Sequence, residues 1–186
     1  MYCVKTQSTI EDTIKKSHFI GIIAPCHSIA EINQQYQTIQ QQHPNASHIA
    51  FAYHLKNNDQ ILIRCNDAGE PNGTAGKPIL NHLEGNQLIN VIILVVRYFG
   101  GIKLGAGGLS RAYGNLAKGA IANAQLIEFI DYEVLTFTLS YGQLTNFEYH
   151  LKQFNGTILE QLFTEIITLK IRLPSVHRRE FQTLFS

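Results

Sequence analysis

The segment NVIILVVRYF, residues 90–99, is apolar at even and odd positions alike. Successive side chains of a strand point to opposite sides, so a half-buried strand alternates between apolar and polar residues. A strand that is apolar on both faces must be covered on both, which makes this segment the central buried strand of a sheet. Arg97 ends the apolar run, and an ionised guanidinium beside a core needs a partner. Asp67 and Glu70, in the loop that precedes the strand, are the acidic candidates, which gives Arg97 an architectural role.

Glycines crowd the chain directly after this strand, at Gly100, Gly101, Gly105, Gly107 and Gly108. Ordered glycine costs conformational entropy, so such an excess marks positive φ angles or a backbone that something approaches closely. A flexible linker is polar, whereas this run carries Ile102, Leu104 and Leu109 to bury, together with Phe99, which is expected in the core. The run therefore reads as an ordered loop leading into a helix, LSRAYGNLAKGAIANA, that starts near Leu109. A second glycine loop, NDAGEPNGTAGKP, precedes a short helix around residues 79–83. The two loops flank the central strand and are expected to share one concave surface.

Elsewhere the patterns alternate cleanly. KSHFIGIIAP is rich in β-formers, and Ser28 opens a capping-box match with Glu31 at the head of a Gln-rich helix that ends near His43-Pro44. SHIAFAYHL and QILIRC, joined through NND, form an antiparallel hairpin. After LIEFIDYE the pattern restarts: EVLTFTLSY is a strand, GQLTNFEYHLKQF a helix, GTILEQLF and EIITLKIRL a second hairpin, and PSVHRREFQTLFS the start of another helix. The fold class is α+β in two domains, residues 1–130 and 131–186. The second has the order β-α-β-β-α, one strand short of a ferredoxin-like unit.

Several classes are excluded. A formal net charge of +1 with 45% hydrophobic residues is not the composition of a disordered chain. The longest aliphatic run, Val91 to Val96, falls far below the roughly 20 residues that cross a bilayer, and the N-terminus has no apolar signal core, so a cytoplasmic protein without a membrane partner is expected. Cys3, Cys26 and Cys65 form no CxxC pair, which argues against a disulfide framework or a structural zinc site and for small buried hydrophobes. Residues 67–118 hold five Lys/Arg against three Asp/Glu, and residues 131–186 hold five against six, so any basic patch belongs to the first domain.

The glycine loops match no nucleotide motif. In GTAGKP, Pro71 stands where a P-loop needs its first glycine and Pro78 where it needs Ser or Thr; in GAGGLS, Ser110 replaces the third glycine of GxGxxG. Backbone amides at a helix start, with Lys103 and Arg111 nearby and Lys77 in the other loop, form an anion site suited to phosphate. The alternative is that the glycines merely permit a tight packed turn, and residue chemistry leaves the two readings even. His48, Asp67 and Glu70 are read as fixing turn amides or pairing with cations; no catalytic residue, metal ligand or cofactor is assigned.

DAGEPNGTAGKPIL and NVIILVVRYFGGIKLGAGGLSRAYG, with KKSHFI and ASHIAFAYH, resemble the signature of the IMPACT/YigZ family across residues 15–124. The resemblance implies an N-terminal domain similar to the second domain of ribosomal protein S-five, also used by domain four of elongation factor G. It implies a ferredoxin-like C-terminal domain similar to domain five of that factor, here without its last strand. Ala68 departs from the family's DDGEP form, which counts against a mechanism needing paired carboxylates. Eukaryotic members regulate translation by competing for an activator of an initiation-factor kinase. The resemblance thus implies a translation-associated regulator that binds RNA, the ribosome or a translation factor. Lys77, Arg97, Lys103 and Arg111 would meet phosphates, and Tyr98, Phe99 or Tyr113 would stack on bases where they are not core. Small-molecule kinases share the S-five-like fold, so an enzyme or a binder of small phosphates or nucleotides is the alternative.

Overall fold

The structure is a computed structural model that describes residues 1–57 and 60–185. Of the expected NND turn, Asn58 and Asp59 lie outside the described residues. The chain separates into two compact units, Met1–Phe129 and Ile130–Ser186.

The first unit runs β1 (Tyr2–Val4), β2 (Ser8–Ile14), β3 (Ser17–Pro25), α1 (Ile29–Gln42), β4 (His48–Asn57), β5 (Gln60–Asn66), α2 (Gly76–Gly85), β6 (Val91–Tyr98), α3 (Ala106–Ala122) and β7 (Leu126–Glu128). Five strands form one antiparallel sheet in the order β2-β3-β6-β4-β5, and β1 pairs with β7 in a separate ribbon. The doubly apolar strand β6 is the middle of that sheet. Its odd positions Val91, Ile93 and Val95 join the core built by α2 and α3, while Ile92, Leu94 and Val96 join the core under α1. Seven of its eight residues are buried, which is why both faces had to be apolar.

Ser28 caps α1 as its sequence predicts: the Glu31 amide donates to Ser28 Oγ at 3.1 Å, and the Glu31 carboxylate accepts from the His27 amide at 2.9 Å. α3 starts at Ala106, three residues before the expected Leu109, so Gly107 and Gly108 belong to its first turn. Strands β1, β2 and β7 add to the sequence-based elements. β2 is a half-exposed edge carrying Glu11 and Asp12, a protected edge whose charges mask its strand pattern.

The second unit runs β8 (Tyr132–Leu139), α4 (Leu144–Gln153), β9 (Thr157–Phe163), β10 (Ile167–Pro174) and α5 (Arg178–Leu184), with β10 between β8 and β9 in an antiparallel sheet of three strands among the described residues. Ile167, Leu169, Ile171 and Leu173 alternate onto one face and meet Phe147, Leu151 and Phe181 from the two helices.

Candidate anion-binding site

The register of the main sheet builds the floor of the site. Phe19 on β3 and His48 on β4 both pair with Arg97 on β6, which sets the three side chains abreast. Parity puts them on the α2/α3 side, in line with Val95 and Ala50. Arg97 is only 4% exposed, so its charge has to be met locally. Its Nη1 donates to Glu70 Oε1 at 2.6 Å, and Nη2 donates to Ser17 Oγ at 3.3 Å. The hydroxyl of Tyr113, fully buried on α3, donates to the same Glu70 oxygen at 2.7 Å. Burial, and then the bond to Glu70, raise the Tyr113 phenol well above its ordinary value, so it stays a donor. The guanidinium lies between two rings, 5.4 Å from the centroid of Phe19 and 5.3 Å from that of Phe99. Its Nε has no hydrogen-bond partner among the described residues. His48 Nδ1 lies 2.9 Å from the Ala68 carbonyl, which can only accept; Nε2 therefore faces the site, 3.9 Å from Glu70 Oε1.

Of the two acids offered to Arg97, Glu70 takes the role and Asp67 takes another. Asp67 Oδ2 accepts the Gly73 amide at 2.8 Å, and Oδ1 accepts those of Ala75 and Gly76 at 2.9 and 2.8 Å. One carboxylate thus closes the first glycine loop and caps α2, whose own N-cap residue, Ala75, has no side chain able to do so. Burial pushes the Asp67 carboxyl up, and the three amides outweigh it, leaving it below the usual carboxylate value.

The second loop is anchored at its start and open at its end. The Phe99 amide donates to Ser47 Oγ at 3.0 Å and the Gly100 amide to Ser17 Oγ at 3.2 Å. A Cβ on Gly100 would collide with the Lys16 backbone, so this glycine serves close packing. Gly105, at φ +72°, is the N-cap of α3 and offers no capping side chain. The first turn holds no acid. Lys103 precedes it, and Arg111 turns back along the helix, its Nε donating to the Gly107 carbonyl at 3.2 Å. A cation at the positive end of a helix costs about 0.3–1 kcal/mol, so Lys103 beside an uncapped end opposes stability. Gly107 opposes it too. A Cβ there meets nothing within 4 Å, whereas alanine in place of glycine inside a helix is worth up to about 1 kcal/mol.

Between the loops lies a pocket of about 390 Å³. Glu70 and Pro71 line it from the first loop; Phe99, Lys103, Leu104 and Gly105 line it from the second, with His48 and Arg97 beneath and Ala106 and Leu109 from α3. Lys77 stands apart, exposed on α2 with its ammonium 3.8 Å from the Glu84 carboxylate. Among the glycines, Gly101 has φ +85° and Gly108 packs against Leu104.

Two aromatics exchange their expected places. Phe99 is 47% exposed, because β6 pairing ends at Tyr98 and the chain leaves the sheet there. Tyr113, offered as a stacking residue, sits in the core holding Glu70. The signal for it lay in the apolar stripe Leu109, Ala112, Tyr113 and Leu116 at helical spacing. Tyr98 is half-buried, its hydroxyl 2.8 Å from His43 Nδ1. Cys26 is buried, and burial pushes its thiol up to about 12; Cys65 packs half-buried against the core. Among the described residues no group of three His, Cys, Asp or Glu gathers to hold a metal, and no helix is long and apolar enough to cross a membrane.

Fold and site together define a two-unit α+β protein whose first unit presents a cationic, uncapped helix start beside a buried Arg-Glu-Tyr cluster. Residues 15–121 match the Impact N-terminal domain, and residues 137–186 match a domain of unknown function (DUF1949). The chain is 37% identical to an IMPACT family member of Haemophilus influenzae, over 89% of this chain and 81% of that protein. It is 33% identical to the IMPACT family member YigZ of Escherichia coli, over 93% of this chain and 85% of that protein. A crystal structure described only as that of a hypothetical protein superimposes with a TM-score of 0.72 at 32% identity, covering 97% of this chain and 88% of that one. The chain belongs to the IMPACT family.

Proposed function

We propose that this protein is a translation-associated regulator that binds RNA, on the ribosome or alone, through the amino end of α3. Membership of the family supports the link to translation. One observation carries the binding mode: the amino end of α3 has no side-chain cap and no acid in its first turn, with Lys103 just before it and Arg111 in the turn after it. An RNA phosphate would satisfy the open amides and neutralise Lys103 and Arg111 together. In this reading the first unit is of the ribosomal protein S-five second-domain type and the second is ferredoxin-like, and the protein works in the cytoplasm, where ribosomes are.

Ribosome co-sedimentation across a salt series tests the reading. Lys103→Ala and Arg111→Ala are each expected to weaken association and to flatten its salt dependence by about one counterion. Unaltered affinity and slope in both variants would contradict RNA contact and turn attention to a translation-factor protein as partner. The pocket between the two loops favours a second reading, a binder or enzyme acting on small phosphates or nucleotides. Magnesium-dependent nucleotide turnover, without salt-sensitive ribosome association, would select it.

A further inference from the structure

The open helix end and the pocket adjoin, since Gly105 and Ala106 belong to both. We propose that together they hold one nucleoside monophosphate unit, with its phosphate on the first amides of α3 and its base against Phe99. The unit is either a free nucleotide or the phosphorylated end of an RNA strand. This rests on the reading of the α3 amino end as a phosphate site and adds what the phosphate is attached to.

A bare anion uses too little of what is there. Pro71, Leu104 and Leu109 give the pocket apolar walls, and its volume of about 390 Å³ falls within the range of small-molecule sites, roughly 300–1,000 Å³. Phe99 has the Arg97 guanidinium over its ring at 5.3 Å and is still 47% exposed, although a phenyl ring gains by being covered. A flat, polarisable base covers it; a sugar phosphate alone does not. The polar groups around the ring suit a heterocycle. His48 Nε2 presents a lone pair, in the neutral ring, to an N–H edge, and Arg97, its guanidinium 5.3 Å from the Phe99 ring, lines the same pocket. Gly107 then has its reason: a side chain at the second position of α3 would crowd a phosphate seated on its amides.

The test is calorimetric titration with adenosine 5′-monophosphate, adenosine and ribose 5-phosphate, beside anisotropy of a short labelled RNA with a 5′-phosphate or a 5′-hydroxyl. The monophosphate is expected to bind about tenfold or more tighter than either fragment, because stacking and phosphate contact both contribute. Phe99→Ala should bring it down to the level of ribose 5-phosphate. Phe99→Leu, which keeps apolar bulk and removes the ring face, should do the same if the alanine variant does not fold. Gly107→Ala should weaken all phosphate-bearing ligands by about the same factor without loss of fold. A preference for the 5′-phosphorylated RNA identifies a strand end; tight monophosphate binding with no such preference identifies the free nucleotide. Equal affinity for monophosphate, adenosine and ribose phosphate, or indifference to both Phe99 variants, overturns the proposal. If it falls while Lys103→Ala still weakens ribosome association, the phosphate reading of α3 survives it; if both fail, neither stands.

Discussion

Helices α2 and α3 follow glycine-rich loops of the same character and pack on the same face of the same sheet, yet their amino ends are finished in opposite ways. At α2 a single carboxylate, Asp67, collects three amides. Among the described residues, no side chain caps the first amides of α3 and its first turn holds no acid; Lys103 stands just before that turn and Arg111 in the turn after it. The glycines do not distinguish the two loops; the charge at the helix start does. A chain that caps one end so fully has the means to cap the other, and leaving it open fits a ligand rather than an accident of sequence.

The largest effect should come from the cluster that carries both loops. Arg97→Ala takes from buried Glu70 its guanidinium partner and leaves the Tyr113 hydroxyl as a donor, and loss of one partner from a buried pair costs about 3–5 kcal/mol. Chemical denaturation measures it, and a variant of full stability that lost only binding would move Arg97 from the architecture to the ligand.

Asp67→Ala should cost about 1–2 kcal/mol as a lost helix cap. The Asp67 carboxyl titrates below its ordinary 3.8, so the folded state holds its proton less tightly than the unfolded chain does. Its contribution is therefore complete above about pH 4 and fades as the pH falls through the lower folded value. Thermal melts of wild type and variant should differ at neutral pH and converge in acid.

Gly107→Asp would finish α3 in the manner of α2. The side chain has open space, so stability should rise by about 0.5–1 kcal/mol while ribosome association falls. Undiminished association would break the comparison. Lys77→Ala should do least: its exposed pair with Glu84 is worth less than about 0.5 kcal/mol, and ribosome association should not change.

Sequence reasoning reached the parts of this arrangement that are written locally. The doubly apolar run places β6 at the centre, Ser28 and Glu31 begin α1, and the glycines mark the two loops. The buried guanidinium required an acid nearby, and Glu70 supplies it. Less legible were features set by partners far apart in the chain. Tyr113 reaches Glu70 across 43 positions and Arg97 reaches Ser17 across 80, and neither contact leaves a local pattern. Phe99 looked like the last residue of an apolar strand; its exposure follows from where the pairing with β3 stops. The early start of α3 was hidden by Gly107 and Gly108, poor helix formers whose low propensity argues for loop until packing overrides it.

The contrast between the two helix starts is tested most directly by following backbone amide resonances during titration with inorganic phosphate and then adenosine 5′-monophosphate. Saturable shifts at Ala106, Gly107 and Gly108, with Gly73, Ala75 and Gly76 unmoved because Asp67 already holds them, are the predicted result. Shifts of equal size at both helix starts, or none at α3, would contradict the claim that one end is closed for stability and the other kept open for an anion.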